Sequence, residues 1–111
     1  MTLEPRKRPK VVTGNTHRMV TGCGNLYVTV TRDDTGLLEV FTHLGKTGQC
    51  GSAQTEAICR AVSVGLRSGI DPQVFIKQLS GIRCPSPGLD EGETVLSCAD
   101  AIATALKREM E

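Results

Sequence analysis

The chain has no tryptophan, one tyrosine and two phenylalanines among 111 residues, so aromatics make up 3%. An aromatic core is excluded, and Val, Leu, Ile, Ala and Cys must supply the packing. No apolar run approaches the roughly 20 residues needed to span a bilayer, which excludes a membrane helix. No charge of one sign predominates: the formal net charge is +1, with 23% of residues charged. That excludes a strongly basic nucleic-acid domain and a disordered polyelectrolyte. Met1–Lys10 has no apolar segment of the kind a secretory signal carries, so a cytoplasmic protein is expected. What remains fits one domain, long enough to bury roughly two thirds of its unfolded surface.

Charge is unevenly placed. Residues 1–10 carry Arg6, Lys7, Arg8 and Lys10 against Glu4, a net of +3, so the other 101 residues sum to −2. With Pro5, Pro9 and almost nothing to bury, residues 1–10 read as a flexible basic arm and residues 11–111 as the folded domain. The arm is either a contact for an acidic partner or a solvated linker.

The first half of the domain reads as β. His17–Gly22 is a short strand with Met19 and Val20. Asn25–Arg32 is the clearest, with Leu26, Val28 and Val30 on one face and Tyr27, Thr29 and Thr31 on the other. Asp33-Asp34-Thr35-Gly36 is a turn. Leu37–Leu44 follows, with Leu38, Val40 and Thr42 opposite Leu37, Glu39 and Phe41. Gly24-Asn25 signals a tight turn between the first two strands, which predicts an antiparallel three-stranded meander.

The second half reads as helix. A glycine-rich loop, Gly45–Gly51, precedes a helix with Ser52 as N-cap and Ala57, Ile58, Ala61, Val62, Gly65 and Leu66 on its apolar side. Ser68-Gly69 ends it. Asp71 caps a second helix that starts with Pro72 and turns Val74, Phe75 and Leu79 inward. Gly81–Leu96 reads as a loop of a length that is usually functional. Ser97 and Asp100 have capping-box spacing, and Ala99, Ile102, Ala103 and Leu106 face inward from a last helix. The fold class predicted is α+β: a three-stranded antiparallel meander, then two to three helices packed on one face.

Five cysteines need an explanation. A reducing compartment and an odd count argue against a disulfide framework. Cys23 falls at a strand turn, Cys50 before the first helix, Cys84 in the long loop and Cys98 in the first turn of the last helix. Cys59 alone lies inside a helix, beside its apolar stripe, and reads as a packed thiol. Loops can bring four thiolates to the roughly 2.3 Å that a tetrahedral ion requires, and helix N-termini favour the thiolate. Such a site would staple the meander to the helices, which suits a core poor in aromatics. The spacing is not diagnostic, because the intervals are 27, 34 and 14 residues and no Cys-x-x-Cys pair occurs. Metal binding, plain packing and redox chemistry all stay open at this point.

Other chemistry is sparse. His17 and His43 read as ordinary strand residues, and no catalytic grouping is visible in sequence. Gly45-x-x-Gly48-x-x-Gly51 follows a strand and opens a helix, where backbone N–H groups favour an anion. Gly48, Gly51 and Ser52 are the candidate contacts, but the Gly-Lys-Ser/Thr ending of a nucleotide-binding P-loop is absent.

Several separated motifs resemble the TSCPD domain: Cys23-Gly24-Asn25-Leu26-Tyr27-Val28-Thr29-Val30, Leu66-Arg67-Ser68-Gly69-Ile70-Asp71-Pro72, Gly81-Ile82-Arg83-Cys84-Pro85-Ser86-Pro87 and Ser97-Cys98-Ala99-Asp100-Ala101-Ile102-Ala103. The similarity runs from about Arg8 to Ala105. It is strongest to the branch that ends adenosylcobalamin-dependent (class II) ribonucleotide reductases, where the domain follows the catalytic barrel. The resemblance implies that Cys23, Cys50, Cys84 and Cys98 are the shared cysteines and metal ligands, with zinc favoured by all-sulfur ligation and Cys59 outside the set. The family's Thr-Ser-Cys-Pro-Asp is here Leu96-Ser97-Cys98-Ala99-Asp100, which loses a helix-start proline but no ligand. It also makes the arm look like the end of a linker.

The resemblance brings no catalytic residues. Ribonucleotide reduction needs a large barrel, so adenosylcobalamin is expected only in a larger partner. The expectation is a small accessory or regulatory domain, stabilised by a four-cysteine site, whose partner is a class II reductase or another protein. The alternative is a protein that binds or sequesters a nucleotide or another anionic small molecule through Gly45–Ser52. Self-association stays open, and neither nucleic acid nor membrane is expected as a partner.

Overall fold

Alternating apolar and polar residues between Thr13 and Leu44 give three strands: β1 (Thr13–Thr21), β2 (Gly24–Asp33) and β3 (Gly36–Leu44). They form an antiparallel sheet in the order β1-β2-β3, as expected for a meander. This computed structural model describes residues 3–44 and 50–111, with side chains in the second stretch described from Ser52 onward. Three helices follow, α1 (Cys50–Arg67), α2 (Pro72–Leu79) and α3 (Cys98–Met110). α1 packs against β3, α3 against β2 and β1, and α2 against α3, so the helices share one face of the sheet. The fold is α+β.

The core lies between that face and the helices. Met19, Leu26, Val28, Val30, Val40 and Leu44 from the sheet meet Val62 and Leu66 from α1, and Ala101, Ile102, Ala105 and Leu106 from α3. Small alanines on α3 let the helix lie close to a sheet whose β-branched residues fill the remaining space. Among the described residues no helix is long and apolar enough to cross a membrane.

Helix ends follow local chemistry. α1 ends in a Schellman motif: Ile70 N–H donates to Gly65 O at 3.1 Å and Gly69 N–H to Leu66 O at 3.1 Å. Asp71 caps α2 by accepting from Gln73 N–H at 2.9 Å, with Pro72 as the first helical residue. Ser97 caps α3 by accepting from Asp100 N–H at 3.0 Å.

Six details differ from the sequence reading. β1 starts at Thr13 rather than His17, because Thr13–Thr16 pair with Thr29–Arg32 although they are exposed. Pairing with a neighbour, rather than burial, makes them a strand. α1 starts at Cys50, so Ser52 sits inside its first turn and is not the N-cap. The buried side of α1 is Thr55, Cys59, Val62, Ser63 and Leu66, while Ala57 and Ala61 are exposed. Alanine carries too little apolar surface to fix a helix's rotation. Val74 is also exposed, and Ile76 is the buried residue of α2. In β3, a register shift at Thr31/Arg32 lets Leu37 join the core alongside Val40.

The sixth difference is in Gly81–Leu96. This segment is not structureless: β4 (Gly88–Asp90) and β5 (Glu93–Val95) form a small antiparallel ribbon. Glu91 and Gly92, both at positive φ (48° and 86°), make its turn. That is the backbone of a tight hairpin turn, reached here with Glu in place of the usual Asn or Asp.

The arm makes specific contacts. Arg6 donates to both carboxylate oxygens of Asp33, at 3.0 and 3.2 Å, and to Leu66 O at 3.2 Å. Its backbone N–H donates to Arg67 O at 2.8 Å. The guanidinium thus serves both the end of α1 and the β2–β3 turn. Arg8 pairs with Glu39 at 3.0 Å and lies 5.6 Å from the Phe41 ring centroid.

Candidate functional site

Thr21, the last residue of β1, organises the end of the sheet. Its hydroxyl donates to Gly24 O at 2.8 Å and accepts from Cys23 N–H at 3.2 Å. The Cys98 thiol, on the first residue of α3, donates to the same oxygen at 3.8 Å. A hydroxyl can donate once and accept twice, so Thr21 is fully used. It fixes the turn that carries Cys23 and holds Cys98 toward it.

Cys84 arrives on the segment that leads into the β4–β5 ribbon. Its N–H donates to Leu96 O at 3.0 Å, which closes the base of the β4–β5 ribbon beside Ser97 and Cys98. The ribbon is pressed onto the β1–β2 turn through glycines. A Cβ on Gly22 would come within 1.5 Å of Ser86 O, and one on Gly88 within 2.7 Å of the Thr21 backbone. Any larger residue at either position separates the two segments. Asp100 ties the ribbon's flanks to α3, because its carboxylate accepts from Gly81 N–H at 2.9 Å and from Leu96 N–H at 3.2 Å.

Cys23 and Cys84 are thus carried on segments that adjoin the start of α3. Burial pushes the Cys98 thiol up from its ordinary value, the Thr21 hydrogen bond opposes this, and the neighbouring Cys23 and Cys84 push it further up. All three cysteines are partly buried. Cys23 and Cys98 also pack against the core. Three of the four junction cysteines therefore lie near the same end of the sheet, with Cys23 and Cys84 both close enough to Cys98 to affect its thiol. Cys50 is the first residue of α1, and its side chain lies outside the described residues. Among the described residues, no group of three or more His, Cys, Asp or Glu side chains is arranged to hold a metal ion. The donor chemistry, three sulfurs from three separate segments, is nonetheless the kind a tetrahedral zinc site uses.

Cys59 lies elsewhere. It is buried in the core, its thiol donates to Thr42 Oγ1 at 3.6 Å, and burial pushes its thiol up. Of the anion-binding candidates, Gly48 lies outside the described residues. Gly51 and Ser52 are in the first turn of α1, where Ser52 O accepts from Thr55 Oγ1 at 3.1 Å.

A second polar cluster, at the far end of α3, was not legible from sequence. Glu109 is 4% exposed and accepts from Arg32 Nη2 at 2.7 Å, His17 Nε2 at 2.6 Å and Asn15 Nδ2 at 3.1 Å. Burial alone would raise its carboxyl, but hydrogen bonds from Arg32, His17 and Asn15 outweigh that and hold it below its ordinary value. His17 is thus a structural partner on the helix side of β1. Of the residues missed, only Gly22 and Gly88 left a signal in the sequence: glycines beside strands often mark a close approach of backbones.

The vitamin B12-dependent ribonucleotide reductase of Streptantibioticus cattleyicolor is 30% identical over 91 residues, covering 82% of this chain and 15% of that protein. The enzyme of the same name from Streptomyces clavuligerus is 26% identical over 104 residues, covering 94% of this chain and 10% of that protein. The chain thus spans only a small part of either relative. No solved structure matches it. The TSCPD domain family matches residues 1–110, a stretch that includes the turn at Cys23, the ribbon after Cys84 and the helix start at Cys98. The chain belongs to the TSCPD domain family.

Proposed function

We propose that this chain is a small accessory or regulatory domain of a ribonucleotide reductase system, held together at one end by a zinc ion on Cys23, Cys84, Cys98 and Cys50. The observation that carries the reading is the meeting of three thiols from the β1–β2 turn, the β4–β5 ribbon and the start of α3. An ion there would supply structure rather than chemistry. It would join the β1–β2 turn and the ribbon to the start of α3, reinforcing the Thr21–Cys98 contact there. The thiols would have to lose their protons on binding, so loading would weaken as the medium is acidified.

The reductase connection rests on the two relatives, which are named vitamin B12-dependent ribonucleotide reductases. Adenosylcobalamin and the reaction itself belong, on this reading, to a larger cytoplasmic partner. The described core is filled by aliphatic side chains, and a radical reaction needs a shielded cavity that holds cofactor and substrate together.

Two measurements test the proposal. Elemental analysis of protein purified without added metal should find about one zinc per chain, removed by chelator with a loss of melting temperature. Metal-free protein that melts cooperatively and ignores chelator would refute the zinc site. Separately, the chain alone should not reduce ribonucleotides when given adenosylcobalamin, reductant and substrate. It should change the activity of a class II reductase whose own terminal domain has been deleted. Turnover by the chain alone, or no effect on the truncated enzyme, would remove the accessory role.

A further inference from the structure

The helices cover one face of the sheet. Side chains alternate along a strand, so the neighbours of Met19, Leu26, Val28, Val30 and Val40 point to the other face, away from the core. The strand register sets them in rows. Arg18, Tyr27 and His43 lie side by side across β1, β2 and β3, and Thr16, Thr29 and Phe41 form the next row. The Thr16 and Thr29 hydroxyls are hydrogen-bonded at 2.8 Å, which ties the second row together. Thr31 and Glu39, in the row beyond, are buried, and Arg8 of the arm pairs with Glu39.

Folding alone does not account for this face. The chain has three aromatic residues, and two of them, Tyr27 and Phe41, stand here rather than in the core. Phe41 is 40% exposed, which forgoes much of the burial that an aromatic ring can offer. Cations outnumber free anions on this side. Arg8 pairs with Glu39 and Arg6 with Asp33, so the arm neutralises the carboxylates beside it. Arg18 is exposed, as are Lys7 and Lys10, which flank Arg8 in the arm. None of these three forms a salt bridge among the described residues. A net charge of +1 for the whole chain is therefore compatible with one cationic side.

Rings beside unpaired cations suit a ligand that is both flat and anionic. A protein partner would find no continuous apolar surface, because threonine, arginine and histidine separate the two rings. A nucleotide chain supplies both halves: bases that stack on rings, and phosphates that meet guanidinium and ammonium groups. The spacing favours a strand over a single nucleotide. Tyr27 and Phe41 stand in adjacent rows, which are about 6.8 Å apart along the strands. That is about twice the 3.4 Å rise of stacked bases. Two bases can use both rings only when splayed apart, as in a single strand.

We propose that the open face of the β1-β2-β3 sheet binds single-stranded nucleic acid, with successive bases on Tyr27 and Phe41 and phosphates at Arg18 and the arm. This goes beyond the accessory role above and depends on neither zinc nor a reductase.

The test is fluorescence anisotropy of a labelled oligothymidylate, about eight nucleotides long, with the full chain at low salt. It should bind. Tyr27→Leu and Phe41→Leu, which keep apolar bulk and lose the ring, should each weaken binding at least about fivefold. Arg18→Gln should weaken it and reduce the slope of log affinity against log salt by about 0.7. Arg18 is exposed, so that variant reports on the face even if Tyr27→Leu disturbs the sheet. Arg60→Gln, which removes an exposed cation from α1, should change nothing. Absence of binding, or equal binding by both leucine variants, overturns the proposal. So does equal affinity for thymidine monophosphate, which would make this a mononucleotide site, or for a duplex, whose paired bases offer no free face. A dimer in native mass measurement that Phe41→Leu dissolves would also overturn it, by showing that a second copy covers the face. Zinc content, measured on the same samples, separates this failure from that of the metal site.

Discussion

The two ends of α3 solve the same problem differently. At its C-terminal end, Glu109 is buried and accepts from Arg32, His17 and Asn15, so the chain itself satisfies the carboxylate. At its N-terminal end, Cys98 is partly buried beside Cys23 and Cys84, with one neutral hydroxyl for company, and its thiolate is disfavoured. The first arrangement is complete without any addition. The second sets thiols near one another where the thiolate is disfavoured, and on the zinc proposal an ion would complete it.

The clamp gives the largest expected effect. Glu109→Ala would leave Arg32 and His17 facing a void and should cost about 3 kcal/mol, since removing one partner strands the others. Thermal melting should fall by roughly 10 °C or more. A change within error would show that solvent replaces the carboxylate and that the clamp is not a structural element.

Next is the approach that assembles the thiol end. Gly22→Ala would drive a Cβ into the Ser86 backbone, so the ribbon must shift, at about 2 kcal/mol. On the zinc proposal it should also lower metal content, which Glu109→Ala should not. Equal metal content in both variants would erase the distinction between the two ends.

A smaller effect separates the cysteines. Cys59→Ala should cost about 1 kcal/mol for a small cavity and leave any metal in place. Cys98→Ser should lower zinc content, and with it the chelator-sensitive part of the melting temperature. If both variants retain the same metal and melt alike, the division of four cysteines from one is wrong.

The smallest effect concerns pH. Hydrogen bonds from Thr35 and Arg6 hold the Asp33 carboxyl at about 2, below the ordinary 3.8. A carboxyl lowered in the folded state contributes stability that is fully present above its unfolded value. That contribution is lost as pH falls through the folded value. Glu109, also lowered, acts in the same direction. Stability should therefore be flat on these groups' account from neutral pH to about 4 and fall below it. Asp33→Asn should reduce the slope slightly, and urea melts at descending pH would measure it. An unchanged slope would mean that the Arg6 contact is exchanged for solvent.

The strands and helices were readable where one face is strongly apolar. Leu26, Val28 and Val30 fix β2, and Ile102 and Leu106 fix α3, because burying these side chains dominates the local choice. Reading failed where that signal thins. Ala57 and Ala61 misplaced the face of α1, and the β4–β5 ribbon was hidden because three-residue strands carry no measurable period. The arm's composition showed charge but not that Arg6 would find Asp33, Leu66 and Arg67, which are 27 to 61 residues away.

By itself the sequence determined the α+β class, the meander, the helix caps at Asp71 and Ser97, and the setting of Cys59 apart from the junction cysteines. All of these depend on neighbours within a few residues, or on whether a side chain is apolar. Tertiary structure alone decided that the Cys23 N–H and the Cys98 thiol meet at Thr21, that Cys84 joins Leu96 beside them, and that Glu109 reaches across to β1 and β2. Those contacts join residues up to 94 positions apart. Their geometry depends on where a glycine lets two backbones touch and where a helix axis lies, which no local pattern encodes.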